Sequence, residues 1–394
     1  MLLRGKKVTE LLNADILSLI DDQIPESLTL DYKRDFKLKD DGEKSEFLAD
    51  ITAFHNTEGG IIIFGLEDEK NENNQNTGIP KLPSENGVLI DNYDNEKNKI
   101  EEIVRNSTDP QLNHLAFSEL LVVNGCKVFA ISIPKNLSLP TRVSFRKSSK
   151  FYRRGNAGKY LLGTHELYSL FIKNMEIREK AKEFIYSRIN EVRNNHFWDN
   201  IGLVPGILIH IIPLSNMGNS TLEFLPSTAQ NDMIQMLSPI MSEGYNYNHC
   251  FEGFIIHSHP YNDLYSYNLI FRDGSIEIFT TGVFSQDGSG YYSLSGELLA
   301  SCLLEQLKKA FVYFSTIEVE GPFCISLALN NLEGVPFSGS YRQRKSFRTP
   351  NIQFPVIVIQ SFEQDFKKAI ASMFHVIWQS AGYEMCPSDI LQKI

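Results

Sequence analysis

The sequence lacks any long apolar run. No segment approaches the roughly 20 consecutive apolar residues of a membrane span, so a membrane partner is not expected. The N-terminus, MLLRGKKVTELLNADIL, turns polar too early for a secretory signal. Cysteine is scarce and dispersed: Cys126, Cys250, Cys302, Cys324 and Cys386 form no CxxC pair. That argues against a disulfide frame or a zinc knuckle and leaves reduced thiols in a cytoplasmic protein as the expectation. No GxxxxGK[ST] occurs, and NTEGG is no substitute, which argues against P-loop ATP hydrolysis. No GxSxG nucleophile elbow occurs either, and there is no repeat or low-complexity tract.

What remains is a chain of 394 residues, 42% hydrophobic, long enough for about two domains with real cores. The net charge of -10 argues against a generic polyanion binder, although an average can conceal a local patch. Apolar spacing predicts a short helix over residues 8–22 and a longer one in GEKSEFLADITAFHNTEGG, whose Phe47, Leu48, Ile51 and Phe54 share one face. Gly59-Gly60 ends that helix, and IIIFGL reads as a buried strand. EDEKNENNQNTGIPKLPSENG reads as a loop, ELLVVNGCKVFAISIP as a hairpin turning at Asn124-Gly125, and KSSKFYRRGNAGKY as a strand entering a loop. A long helix from Thr164 to about Asn194 connects to five further strands and two amphipathic helices. The expected fold is α+β in two domains. Residues 1–175 would form a mixed sheet with flanking helices. Residues 176–394 would form a second α+β domain with a mostly antiparallel sheet and two long helices.

PESLTLDYKRD alternates Leu28, Leu30 and Tyr32 with Thr29, Asp31 and Lys33, the period of a strand. Asp31 and Lys33 then point the same way. An acid there can hold a divalent cation while the amine meets a scissile phosphate, the chemistry of many metal-dependent nucleases. Glu67-Asp68-Glu69 follows the next strand, so with Glu26 three carboxylates could surround one Mg²⁺ or Mn²⁺. The tripeptide alone also fits an ordinary solvated strand face. Glu26 and Asp31 are five residues apart, so sharing a metal requires Glu26 to lie in a turn before the strand or beside a bulge.

A basic run, TRVSFRKSSKFYRRGNAGKY, holds Arg142, Arg146, Lys147, Lys150, Arg153, Arg154 and Lys159 with no intervening acid. Phe145, Phe151, Tyr152 and Tyr160 are interleaved. Guanidinium groups fork onto phosphates and aromatic rings stack on bases; a charged edge strand is the plainer alternative. HSHP at residues 257–260 has the look of a zinc pair of deubiquitinase-type metalloproteases, but Leu269 stands where the pattern needs an aspartate. Asp263 or His249 would have to supply a third ligand, and surface histidines are the simpler reading.

ESLTLDYK, AFHNTEGGIIIFGLED and FYRRGN, in this order, resemble the Schlafen AlbA-type domain, also termed a divergent AAA, DNA-binding or ATP-binding domain. The resemblance covers roughly residues 8–175. It implies that the Glu of the family's Glu-Ser falls on Glu26, the Glu of Glu-Phe-Lys on Asp31, and the Asp of Gly-x-x-Asp on Asp68. Asp31 is one methylene shorter than the family residue, and His55 replaces an alanine. Nuclease members cleave tRNA or related RNA with three metal-binding carboxylates. Many bacterial relatives are described only as DNA-binding or as transcriptional regulators, and others sit in anti-phage defence systems. Vertebrate members pair two such lobes around a positive groove. One copy here implies a homodimer, with residues 176–394 as a dimerisation, sensing or partner-protein module.

The expectation is thus a metal-dependent endoribonuclease with Mg²⁺ or Mn²⁺ on Glu26, Asp31 and Asp68. Lys33 would serve the phosphate, and the basic run would grip RNA, with DNA as the other candidate. The alternative is a non-catalytic DNA-binding regulator with a sensing C-terminal domain.

Overall fold

In a computed structural model, two strands and a helix set the frame of the N-terminal unit, Met1–Met175. The structure describes all residues except 1, 5, 84–85, 113–114, 137–138, 147, 157, 195–203, 218–225, 227–230, 242–243, 259–264, 318, 320, 341–342, 360–361 and 393–394. The strand Leu30–Lys33 pairs in parallel with Gly60–Phe64, and the helix Asp41–His55 makes the crossover. That helix starts on a capping box: Asp40 accepts the Glu43 N–H at 2.9 Å, and the Glu43 carboxylate accepts the Asp40 N–H at 3.3 Å. Cys126–Ile133 lies antiparallel on the far side of Gly60–Phe64 and itself carries Ala116–Phe117 and Leu121–Val123. The sheet is therefore mixed, with helices flanking it.

Both faces of this sheet are covered, which is why IIIF reads as a continuous apolar run. Ile62 and Phe64 pack with Phe47, Leu48, Ile51 and Phe54 of the crossover helix. Ile61 and Ile63 pack with Leu11, Ile16 and Leu19 on the other face. Gly59, at φ +71°, turns the chain from helix to strand. At Gly60 a side chain has no room, because an added Cβ would lie 2.2 Å from the Phe54 ring and 2.7 Å from the Thr29 carbonyl oxygen.

A segment read as a loop and one read as a strand entering a loop are both hairpins. Glu67–Lys70 pairs with Asn76–Lys81, with a register shift between Asp68 and Lys70. Tyr152–Gly155 pairs with Gly158–Leu161. Their polar sequences lack an alternating apolar face because both hairpins lie outside the main sheet, where tertiary contacts rather than periodicity hold them.

The second unit, Glu176–Ile394, is built on an eight-stranded sheet. The order is Tyr245–His249, Gly253–Ser258, Ser266–Phe271, Ile276–Thr280, Gly206–Pro213 and Phe323–Asn330, the last also pairing Ile352–Gln353 and Ile357–Ile359. Every pairing in it is antiparallel. Asp273-Gly274 turns one hairpin, with Gly274 at φ +83°. The helices Gly296–Thr316 and Phe362–Ser380 are the two long ones expected, and Ile207, Ile209 and Ile211 share a core with Leu299, Leu303, Phe374 and Trp378. A four-stranded sheet adds Phe284–Gln286, Tyr292–Ser295, Pro336–Ser340 and Gln343–Ser346. Arg188, from the helix Thr164–Arg193, donates two 2.8 Å bonds to the fully buried Glu277, which also contacts His210 Nε2 at 3.0 Å and accepts the Tyr267 hydroxyl at 2.9 Å. Burial opposes ionising Glu277, but these partners hold its pKa down at about 2. Among the described residues, no helix is long and apolar enough to cross a membrane.

Gly60→Ala is expected to cost about 1–3 kcal/mol, because the Thr29 carbonyl belongs to rigid backbone and cannot yield. A fall in the urea midpoint without a change in slope would show it.

Candidate carboxylate centre and nucleic-acid interface

The strand Leu30–Lys33 begins two residues later than the alternation implies, because Leu28 and Thr29 form a tight turn closed by the Ser27 N–H on the Leu30 carbonyl at 3.0 Å. That turn folds Glu26 back. Its N–H donates to the Gly78 carbonyl at 2.8 Å, and its Oε1 accepts the Tyr32 N–H at 3.0 Å. Glu26 thus precedes the strand and reaches toward Asp31, as the five-residue separation requires.

Asp31 is buried at 3% exposure, and Tyr32 points to the opposite face, where its hydroxyl donates to the Ile24 carbonyl. Lys33 Nζ stands 3.0 Å from Asp31 Oδ2 and 3.8 Å from Asp50 Oδ2. Arg154 Nη2 donates to Asp31 Oδ1 at 2.8 Å. Burial alone would raise the Asp31 pKa, yet the charge of Lys33 and the Arg154 bond outweigh it and hold the pKa below the ordinary value. Burial raises Glu26 to about 7, opposed by the Tyr32 N–H and aided by the negative charges of Asp31 and Asp68. Burial likewise raises Asp68, with help from Asp31. Lys33 is pulled toward desolvation but is kept charged, its pKa raised by Asp50, Asp31 and Glu26.

Two oxygens here are buried without a hydrogen bond, Asp31 Oδ2 and Asp68 Oδ1. Lys33 sits beside the first as an ion pair only. Asp68 lies at the register shift of its hairpin, while its neighbour Glu67 is turned to Arg34 and Lys81 at 3.4 and 3.5 Å. Three carboxylates, of which Asp68 keeps one buried oxygen without a hydrogen bond, suit a hard divalent cation. Among the described residues, however, no group of three or more His, Cys, Asp or Glu is spaced as a ready-made metal site. The carboxylates are close enough to shift one another's protons, and Asp31 among them is paired with Lys33 and Arg154.

The basic run divides. Arg142 pairs with Asp109 at 2.7 Å and donates to Ser149, and Arg146 pairs with Asp41; both arginines are exposed enough to exchange partners. Lys150 is exposed and Arg153 half-buried, and neither has a carboxylate partner among the described residues. Lys147 lies outside the described residues. Arg154 and Lys159 are corrections to the surface reading. Alternation on the strand Tyr152–Gly155 turns Arg154 inward, where it is buried over the Phe54 ring at 4.3 Å. Lys159 is held between Asp50, at 2.8 Å, and Glu46.

Asp50 was not singled out from sequence. Burial raises its pKa despite Lys33 and Lys159. The signal was an acid between Phe47 and Phe54 on the apolar face of a helix. Asn56 and Thr57 were also missed as anchors. Asn56 Nδ2 donates to the Thr141 and Tyr152 carbonyls, and Thr57 Oγ1 accepts the Arg154 N–H at 2.9 Å, tying the helix end to the basic hairpin. His259 and Pro260 of the HSHP stretch, and the candidate third ligand Asp263, lie outside the described residues. His249 pairs in register with Phe254 and His257 with Asn246, at opposite ends of the same two strands.

Removing the Glu26 charge is expected to stabilise the metal-free protein. A carboxyl whose folded pKa is raised from 4.5 to about 7 favours folding below the lower value and loses that contribution as pH rises through the upper one. Glu26→Gln should therefore exceed wild type by about 1–3 kcal/mol at pH 8 in EDTA, with the gap closing below about pH 4.5. Urea melts across that range read the difference.

Comparison with known proteins bears on residues 26–162, which match the family model for Schlafen, AlbA_2, a family of nucleic-acid-binding domains; the match spans under half of the chain. No curated protein matches the chain. Among solved structures, the N-terminal domain of a RecG-related protein from Nitrosomonas europaea aligns over 39% of this chain and 97% of that one, at 14% identity and a TM-score of 0.24.

Proposed function

We propose that the N-terminal region, a Schlafen AlbA-type domain matched over residues 26–162, is a metal-dependent endoribonuclease acting on tRNA or another structured RNA. The observation behind this reading is that Asp68 Oδ1 is buried without a hydrogen bond, in one site with Glu26 and with Asp31, whose Oδ2 has the Lys33 ammonium beside it. A buried carboxylate oxygen without a donor is costly, and a cation removes that cost. Glu26, Asp31 and Asp68 would hold Mg²⁺ or Mn²⁺. Bound there, such an ion neutralises charge developing on a scissile phosphate and lowers the pKa of its water.

The protein's own groups do the rest. Lys33, held by Asp50 and Asp31, presents an ammonium to the phosphate. Lys150 and Arg153 bind the backbone directly. Arg142 and Arg146 exchange exposed carboxylate partners for phosphates at little cost, since such surface pairs contribute about 0–1 kcal/mol. Lys147 joins them on sequence grounds alone. A homodimer would supply a second lobe, and the C-terminal unit would serve dimerisation, sensing or a partner protein. A setting in anti-phage defence rests on the family resemblance only.

One observation favours a second reading, a DNA-binding regulator without catalysis: Asp31 already has two cationic partners, and no three-ligand group stands ready. Binding would then need no metal.

With purified full-length chain, cleavage of tRNA or single-stranded RNA is expected with Mn²⁺ and not with EDTA. Asp31→Ala should lower it by about two orders of magnitude or more. Equal cleavage by wild type and Asp31→Ala sinks the nuclease reading. In binding titrations under EDTA, Lys150→Gln and Arg153→Gln should each reduce the slope of log K against log[salt] by about 1.

A further inference from the structure

We infer that Arg154 is a positioning residue for the carboxylate centre and not part of the phosphate-gripping surface; the inference rests on the metal-dependent reading above. Arg153 and Arg154 are adjacent and chemically identical, so sequence assigns them one role. The strand Tyr152–Gly155 gives them opposite directions. Arg154 is 7% exposed. Its Nη2 donates to Asp31 Oδ1 at 2.8 Å and to the Leu30 carbonyl at 3.4 Å, and its Nε donates to the Ser27 carbonyl at 3.3 Å. Its guanidinium lies over Phe54, whose ring occupies the space that Gly60 leaves open. Its backbone N–H is fixed by Thr57.

These contacts reach both halves of the acid-bearing segment. The bond to Ser27 holds the turn that brings Glu26 back, and the bond to Asp31 occupies one carboxylate oxygen. The other oxygen, Oδ2, faces the Lys33 ammonium at 3.0 Å without a hydrogen bond. Arg154 therefore selects which oxygen of Asp31 faces the centre and fixes the Glu26 turn beside it. A planar fork that engages carboxylate and carbonyl together is a task an ammonium performs poorly. Partners of this kind, one bond removed from the ion, typically change metal affinity by about 10–100-fold when lost.

The test measures Mn²⁺ binding by the electron paramagnetic resonance signal of free Mn²⁺, and RNA binding in EDTA, on the full chain. Arg154→Gln is expected to weaken Mn²⁺ binding about 10–100-fold and leave metal-free RNA affinity unchanged. Arg154→Lys should retain the wild-type circular dichroism and lose less Mn²⁺ affinity than the glutamine variant. Arg153→Gln should do the reverse of Arg154→Gln, weakening RNA binding and sparing Mn²⁺. If Arg154→Gln does not fold, Arg154→Lys decides: lowered Mn²⁺ affinity supports the assignment and wild-type affinity overturns it. Wild-type Mn²⁺ affinity in Arg154→Gln, or loss of RNA affinity matching Arg153→Gln, also overturns it. A wild type that binds no Mn²⁺ removes the metal-dependent reading and this inference together, whereas the preceding outcomes remove the inference alone.

Discussion

The N-terminal unit is organised around one buried ion pair, Asp31 with Arg154. Taking a carboxylate and a guanidinium out of water carries a desolvation penalty that their attraction repays only with good geometry and further hydrogen bonds. The further bonds are the Ser27 and Leu30 carbonyls and the Phe54 face. Each constrains another element. Phe54 fixes the end of the crossover helix, Ser27 fixes the turn before the strand, and the hairpin that bears Arg154 is drawn onto the helix through Thr57 and Asn56. A pair that is a modest source of stability is thus a strong source of register.

The same accounting explains why a strongly basic run coexists with a chain of charge -10. Arg142, Arg146, Arg154 and Lys159 all meet carboxylates of this domain. Two of these pairs lie at the surface and exchange with solvent or ligand; the other two are internal and do not. The positive charge left without an internal carboxylate partner is narrower than the linear sequence suggests: Lys150 and Arg153, with Arg142 and Arg146 in exposed pairs. Lys33 and Lys159 share Asp50 between them, so that helix residue sets the spacing of two cations on opposite sides of it.

The C-terminal unit solves a related problem by different means. Its buried charge is Glu277, held by Arg188, His210 and Tyr267 on four separate segments when its own strand is counted. There burial is complete, and Arg188 and His210 hold the acid in its charged form. In the N-terminal centre, by contrast, burial raises Glu26 and Asp68, and the neighbouring acids add to it. The first arrangement suits a structural lock, and the second leaves unsatisfied acceptor capacity.

Much was legible in the sequence because it depends on local pattern. Period-two alternation and a buried isoleucine run predict two strands; one apolar face ended by Gly59-Gly60 predicts the helix between them; Asn124-Gly125 and Asp273-Gly274 predict their turns. Parity left Glu26 two placements if it is to join Asp31, a turn before the strand or a bulge, since five residues along a strand reverse direction, and the structure has the turn. What only the tertiary structure decided was the fate of polar side chains. Nothing local distinguishes Arg153 from Arg154, reveals that Glu67–Lys70 is a strand, or marks Asp50 as the partner of two lysines. Those outcomes depend on which surfaces meet across long sequence separations, and burial, which sets a charge's partner and its proton, exists only once they have met.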